Sequence, residues 1–212
     1  MGAAILGAGP GSAAAAEIAS FRSPDGQIRA TVERSAAGEL TLSASLDGRE
    51  IIAPSPLGLE LEGMDLTRGL EVDRVSEEGI RGTFSTPTGA RRRHLFESSG
   101  SVIRLEPKAG GPRLEIHFQA TDDGVAYRYR LRGGKSATVL SEASGFEIAG
   151  ATNAFTAPHS PNGESLWGGP SERTIFAQPN EVLLPALVQQ GAGRYALIAE
   201  AGVDASYAGS HL

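Results

Sequence analysis

The sequence predicts an all-β fold, a large antiparallel β-sandwich, on three observations. From Leu114 to Leu131, Leu114, Ile116, Phe118 and Ala120 alternate with polar residues; beyond Asp122-Asp123-Gly124, Val125, Tyr127, Tyr129 and Leu131 alternate with Ala126, Arg128 and Arg130. Period two on both sides of an Asp-Gly turn marks a hairpin with one apolar and one polar face. About a dozen strand candidates recur at spacings near ten residues, and no segment carries the period of a helix. The chain of 212 residues holds 28 glycines and 12 prolines, which suits many short strands joined by turns.

The elements follow in order. Ser23-Pro24-Asp25-Gly26 reads as a turn. Ile28, Ala30 and Val32 alternate with Arg29, Thr31 and Glu33 and predict a strand; Leu40, Leu42, Ala44 and Leu46 predict another, ending at the hairpin signal Asp47-Gly48. Ile51-Ile52 opens the return strand, which Pro54 and Pro56 stop. Leu57 to Leu61 reads as one short strand, and Gly69 to Arg74 and Gly79 to Phe84 as a weaker pair. Val102, Arg104 and Glu106 oppose Ile103 and Leu105, so that strand is expected to be covered on one side only. After the long hairpin, Thr138 to Leu140 and Phe146 to Ile148 predict two strands. Residues 150–182 lack periodicity and are rich in Gly, Pro, Ser and Asn, which reads as a long loop of the functional or disordered kind. Leu183 to Val188 and Tyr195 to Ala199 close the chain as strands about Gly191-Ala192-Gly193.

Composition narrows the function classes. A net charge of −6 argues against nucleic acid as a partner, because phosphate contacts need clustered Lys and Arg. Arg91-Arg92-Arg93 is an isolated basic run, read as a solvated loop or strand edge. With no cysteine there is neither a disulfide nor a thiolate metal site. No apolar run reaches the length of a membrane span. At the start, Gly7-x-Gly9 imitates a dinucleotide-binding turn with Glu33 as the ribose acid, but Ser12 replaces the third glycine and no βαβ unit follows. The small-residue run Ala13–Ala16 before Glu17 resembles a secretory cleavage site. Residues 1–17 are therefore expected to be disordered or signal-peptide-like, residues 18–212 to form the domain, and the protein to be periplasmic or secreted.

Several phrases in order resemble the N-terminal domain of glycoside hydrolase family 97, which includes bacterial α-glucosidases and α-galactosidases. They are Ser23-Pro24-Asp25-Gly26, Ser55-Pro56-Leu57-Gly58-Leu59, Asp122-Asp123-Gly124-Val125-Ala126-Tyr127-Arg128-Tyr129, Ser141-Glu142 with Phe146, Leu184-Pro185-Ala186-Leu187, and Glu200-Ala201 with Tyr207, Gly209 and Leu212. The resemblance implies a galactose-mutarotase-like super-sandwich, incomplete at its C-terminus, that packs against a catalytic (β/α)₈ barrel. It implies a non-catalytic domain that helps form the substrate pocket and gives one carboxylate to a calcium site. An oligosaccharide or α-glycoside would then be substrate for the full-length enzyme, with calcium held only together with the barrel. The chain alone is expected to be inactive, to expose unpaired strand edges and to self-associate.

Few residues carry chemistry of that kind. Glycoside hydrolysis needs two carboxylates flanking the scissile bond, and no acid here is nominated as catalytic. Glu200 follows the last apolar strand and offers a hard oxygen ligand to Ca²⁺, with Glu172 in the long loop as second choice. Trp167 in the same loop is a candidate sugar platform, since aromatic faces stack on sugar rings. His159, beside Pro158 and Pro161, is a candidate substrate contact. His94, His117 and His211 show no ligand spacing, and His117 reads as a surface residue. The competing reading is a free-standing carbohydrate-binding sandwich, which needs a row of exposed aromatics from a chain that has seven Phe, four Tyr and one Trp.

Overall fold

The computed structural model describes residues 15–133, 136–159, 181–191, 193–202 and 212, and among them every regular element is a strand. They are β1 (Ala16–Arg22), β2 (Ile28–Arg34), β3 (Leu40–Leu46), β4 (Arg49–Leu57), β5 (Leu59–Leu61), β6 (Met64–Asp65), β7 (Leu70–Ser85), β8 (Arg93–Pro107), β9 (Arg113–Thr121), β10 (Gly124–Arg132), β11 (Val139–Glu142), β12 (Ala151–Phe155), β13 (Ala186–Gln190) and β14 (Tyr195–Ile198). The chain divides into two compact units, Met1–Glu147 and Ile148–Leu212. The first carries antiparallel sheets in the orders β1-β2-β3-β4, β10-β9-β8-β7 and β11-β5-β6; the second carries β12-β13-β14.

The first unit is the sandwich that the alternation predicts. Phe21, Ala30, Val32, Leu40, Leu42 and Leu57 from one four-stranded sheet meet Ile103, Leu105, Leu114, Ile116, Phe118 and Tyr129 from the other. Phe118 is fully buried, with its ring 5.7 Å from that of Phe21 across the layers. Burying a side chain of that size contributes about 2–3 kcal/mol. The hydroxyl of the buried Tyr129 ties the layers further. It accepts the Gly58 N–H at 2.9 Å and lies 2.8 Å from the Ser144 hydroxyl. Gly58 has φ +152° and sits against the Thr67 backbone, which leaves no room for a side chain.

Turn chemistry sets the registers. Asp47 and Gly48 both have positive φ, 51° and 74°, the form whose twist matches the two strands it joins, β3 and β4. Thr121 pairs with Gly124, so the two residues of the β9–β10 turn are Asp122 and Asp123.

Five expectations change. Pro54 and Pro56 do not end the return strand. β4 runs through both to Leu57 because it is an edge strand, where a missing N–H costs little. The weaker pair is one sixteen-residue strand, β7, matched along its length to β8, although acids and glycines hide its alternation. β8 is covered on both sides near its middle, since Val102 on the outer face is buried beside His117. The segment 150–182 is not wholly loop: β12 lies within it, paired to β13, and Pro158 bridges to Val182. Phe146 and Glu147 form no strand, although Ala53 N–H donates to Glu147 O at 2.8 Å.

Candidate functional site

Alternation on β9 sends Leu114, Ile116, Phe118 and Ala120 inward and Glu115, His117 and Gln119 to the other face. On that outer face Arg104 of β8 and Arg130 of β10 stand beside Glu115 in register, and Arg132 stands diagonally from it. The Glu115 carboxylate accepts Arg104 Nε–H on one oxygen and Arg132 Nε–H on the other, both at 3.0 Å. Its second oxygen also lies 3.3 Å from His117 Nε2, and His117 Nδ1 lies 3.4 Å from Glu78. The Glu115 side chain is only 10% exposed. Burial alone would raise its pKa, but hydrogen bonds from Arg132, His117 and Arg104, with the charge of Arg132, hold it at about 2. A group ionised to so low a pH cannot serve as a general acid near neutrality. It serves instead as an anionic clamp on two guanidiniums. His117 is thus half-buried between two carboxylates rather than a plain surface residue. Glu115 carries no local signal in the sequence, because its partners lie on neighbouring strands 11 and 17 positions away.

The second unit carries the candidates named from sequence. His159 follows the Pro158–Val182 bridge, and its backbone N–H donates to Glu181 O at 2.7 Å. Its Nδ1 lies 3.5 Å from the Glu181 carboxylate, forming a pair that sequence reading did not anticipate. Glu200 stands two residues past the end of β14 and is half-buried. A partly sheltered carboxylate at a strand end is a hard oxygen donor. Trp167 and Glu172 lie outside the described residues. Among the described residues no three His, Asp or Glu side chains converge into a metal-binding group. No helix among them is long and apolar enough to cross a membrane.

The family model described as glycosyl-hydrolase 97 N-terminal matches residues 21–212. A probable retaining alpha-galactosidase of Streptomyces bingchenggensis strain BCW-1 is 34% identical over 175 residues, covering 82% of this chain and 27% of that protein. A retaining alpha-galactosidase of Bacteroides thetaiotaomicron is 25% identical over 125 residues, covering 58% of this chain and 18% of that protein. This chain thus spans about a quarter or less of the curated relatives it matches. Among solved structures, a beta-arabinopyranosidase superposes with TM-score 0.80 at 25% identity, over 92% of this chain and 33% of that one. A glycoside hydrolase family 97 enzyme of Pseudoalteromonas sp. strain K8, in complex with acarbose, superposes with TM-score 0.70 at 19% identity, over 84% of this chain and 27% of that one.

Proposed function

The chain belongs to the glycosyl-hydrolase 97 N-terminal family, and from that premise we propose that it is the non-catalytic N-terminal sandwich of an exo-acting glycosidase. It packs against a catalytic (β/α)₈ domain, shapes the rim of the substrate pocket and lends one carboxylate to a calcium site. The observation that carries this reading is the family match over residues 21–212 in relatives three or more times longer. The chain's own chemistry fits a supporting role, since Glu115, the most perturbed carboxylate among the described residues, is held ionised in a structural network. The substrate we propose is a galacto-configured glycoside. The relatives are named for α-galactosides and β-arabinopyranosides, and L-arabinopyranose carries the ring hydroxyl pattern of galactose without the exocyclic carbon.

Glu200 is the proposed calcium ligand of this chain, with Glu172 as second choice. Calcium, when bound, would supply fixed positive charge to the site. Glu200 supplies one oxygen donor among the six to eight such an ion takes, so the other ligands come from the rest of the enzyme. Trp167 and His159 are proposed to meet the sugar, His159 being steadied by its backbone bond to Glu181. The small-residue run Ala13–Ala16 supports a periplasmic or secreted place for the protein.

The test is an assay of the whole enzyme on an α-galactoside after chelation, with calcium added back. Activity is expected to return with calcium, and Glu200→Gln to raise the half-saturating concentration about tenfold. The 212-residue chain by itself is expected to leave the substrate intact. Turnover by the chain alone, or a calcium response untouched by Glu200→Gln, contradicts the reading.

A further inference from the structure

We propose that the outer face of β8, β9 and β10 is an anion site that holds a carboxylate-bearing glycan of the uronate class. Glu115 bonds both Arg104 and Arg132 through Nε only. The terminal amino groups of both guanidiniums make no hydrogen bond among the described residues, and the side chains are 42% and 53% exposed. A guanidinium held in that way has lost its rotamer freedom in advance and presents a fork that matches a second carboxylate. One carboxylate clamping two arginines leaves a net positive charge at the spot.

The other acids of the face are already engaged. Glu106 is bound by Arg113 at 2.8 Å, and Glu78 lies against His117. Arg128 and Arg130 are exposed on the same face and form no ion pair among the described residues. Arg128, Arg130 and Arg132 occupy alternate positions of one strand, about 6.6–6.8 Å apart. β10 is the edge of its sheet, so a chain-like ligand meets the arginine row without a neighbouring strand in its way. A cationic row on a protein of net charge −6 is a local inversion of sign, complementary to a polymer that repeats carboxylates.

The choice of a glycan rather than an acidic protein follows from what the face lacks. Protein partners draw their affinity from apolar or aromatic anchors at the centre of the patch. The outward residues of β10 are Ala126, Arg128, Arg130 and Arg132, and Val102, the apolar residue beneath them on β8, is buried. Hydrogen-bonded charge without an apolar anchor suits a hydrated sugar acid. The word glycan rests on the carbohydrate-processing reading above; the anion site does not. The two fail separately, because the calcium and galactoside assay does not involve this face.

The test is calorimetric titration of the 212-residue chain with a galacturonate oligomer, a neutral galactose oligomer of equal length and poly-glutamate. The acidic oligomer is expected to bind, and to weaken about tenfold or more from low to physiological salt. The neutral oligomer is expected not to bind. The double substitution Arg128→Gln with Arg130→Gln is expected to weaken the acidic oligomer about tenfold or more, with circular dichroism unchanged. Glu115→Gln is expected to weaken it too, although that change adds net positive charge. No binding by the acidic oligomer, equal binding of the neutral one, or affinity unchanged in the double variant overturns the proposal. Tighter binding of poly-glutamate than of the sugar acid assigns the face to a protein and overturns the glycan. Tighter binding by Glu115→Gln overturns the clamp.

Discussion

The two faces of the sheet β10-β9-β8-β7 are made from alternate residues of the same strands, and they answer to different physics. Inward, Leu105, Leu114, Ile116 and Phe118 are fully buried against the opposite sheet. Outward, one nearly buried glutamate organises two arginines whose side chains are exposed. The inner face is held by removal of apolar area from water, which is insensitive to pH and little affected by moderate salt. The outer face is held by charge-assisted hydrogen bonds, which respond to pH and, where exposed, to salt. Burial alone therefore does not identify a core residue: Glu115 and Ile116 are adjacent and both buried, for opposite reasons.

The largest expected effect lies on the inner face. Phe118→Ala removes a ring packed against Phe21 and Tyr127 and is expected to cost about 3–5 kcal/mol, read as a lowered midpoint in urea. Next is the clamp. The folded pKa of Glu115, about 2, lies below its ordinary 4.5. Its contribution is therefore fully present above pH 4.5 and is lost as the pH falls through 2. That contribution is on the order of 2–3 kcal/mol. Glu115→Gln is expected to lose a similar amount at neutral pH and to flatten the acid limb of a stability profile between those two values. Loss of stability with an unchanged acid limb would sharpen the comparison against the clamp.

Tyr129 belongs to the inner face but carries a polar tip. Tyr129→Phe keeps the ring and strands the buried Gly58 N–H, and is expected to cost about 1–3 kcal/mol with no change in pH dependence.

How much of this was legible in sequence depended on the range of the interactions. The hairpin of β9 and β10 was plain because its alternation is local and its turn residues lie between the strands. Asp47-Gly48 was plain because positive φ restricts the choice of residue. β7 was not, because Glu77, Glu78 and Gly79 break the apolar period that its pairing with β8 overrides. β12 was missed because Ala-Thr-Asn-Ala-Phe has weak strand character and is ordered by β13. The Glu115 network was missed for the same reason in stronger form. Nothing near Glu115 in the chain distinguishes it from a solvated glutamate; cross-strand register does. Of the residues nominated from sequence, His159 is paired with Glu181 and Glu200 sits at a strand end, while Trp167 and Glu172 lie outside the described residues.

The smallest expected effect belongs to the exposed arginines, and it divides the two faces most cleanly. Urea unfolding of Arg128→Gln with Arg130→Gln, run beside the unchanged chain and Phe118→Ala, is expected to show a loss below about 0.5 kcal/mol for the double variant. That result leaves those arginines to binding rather than to folding. A loss approaching that of Phe118→Ala would contradict the division, because it would make the arginine row part of what holds the sandwich together.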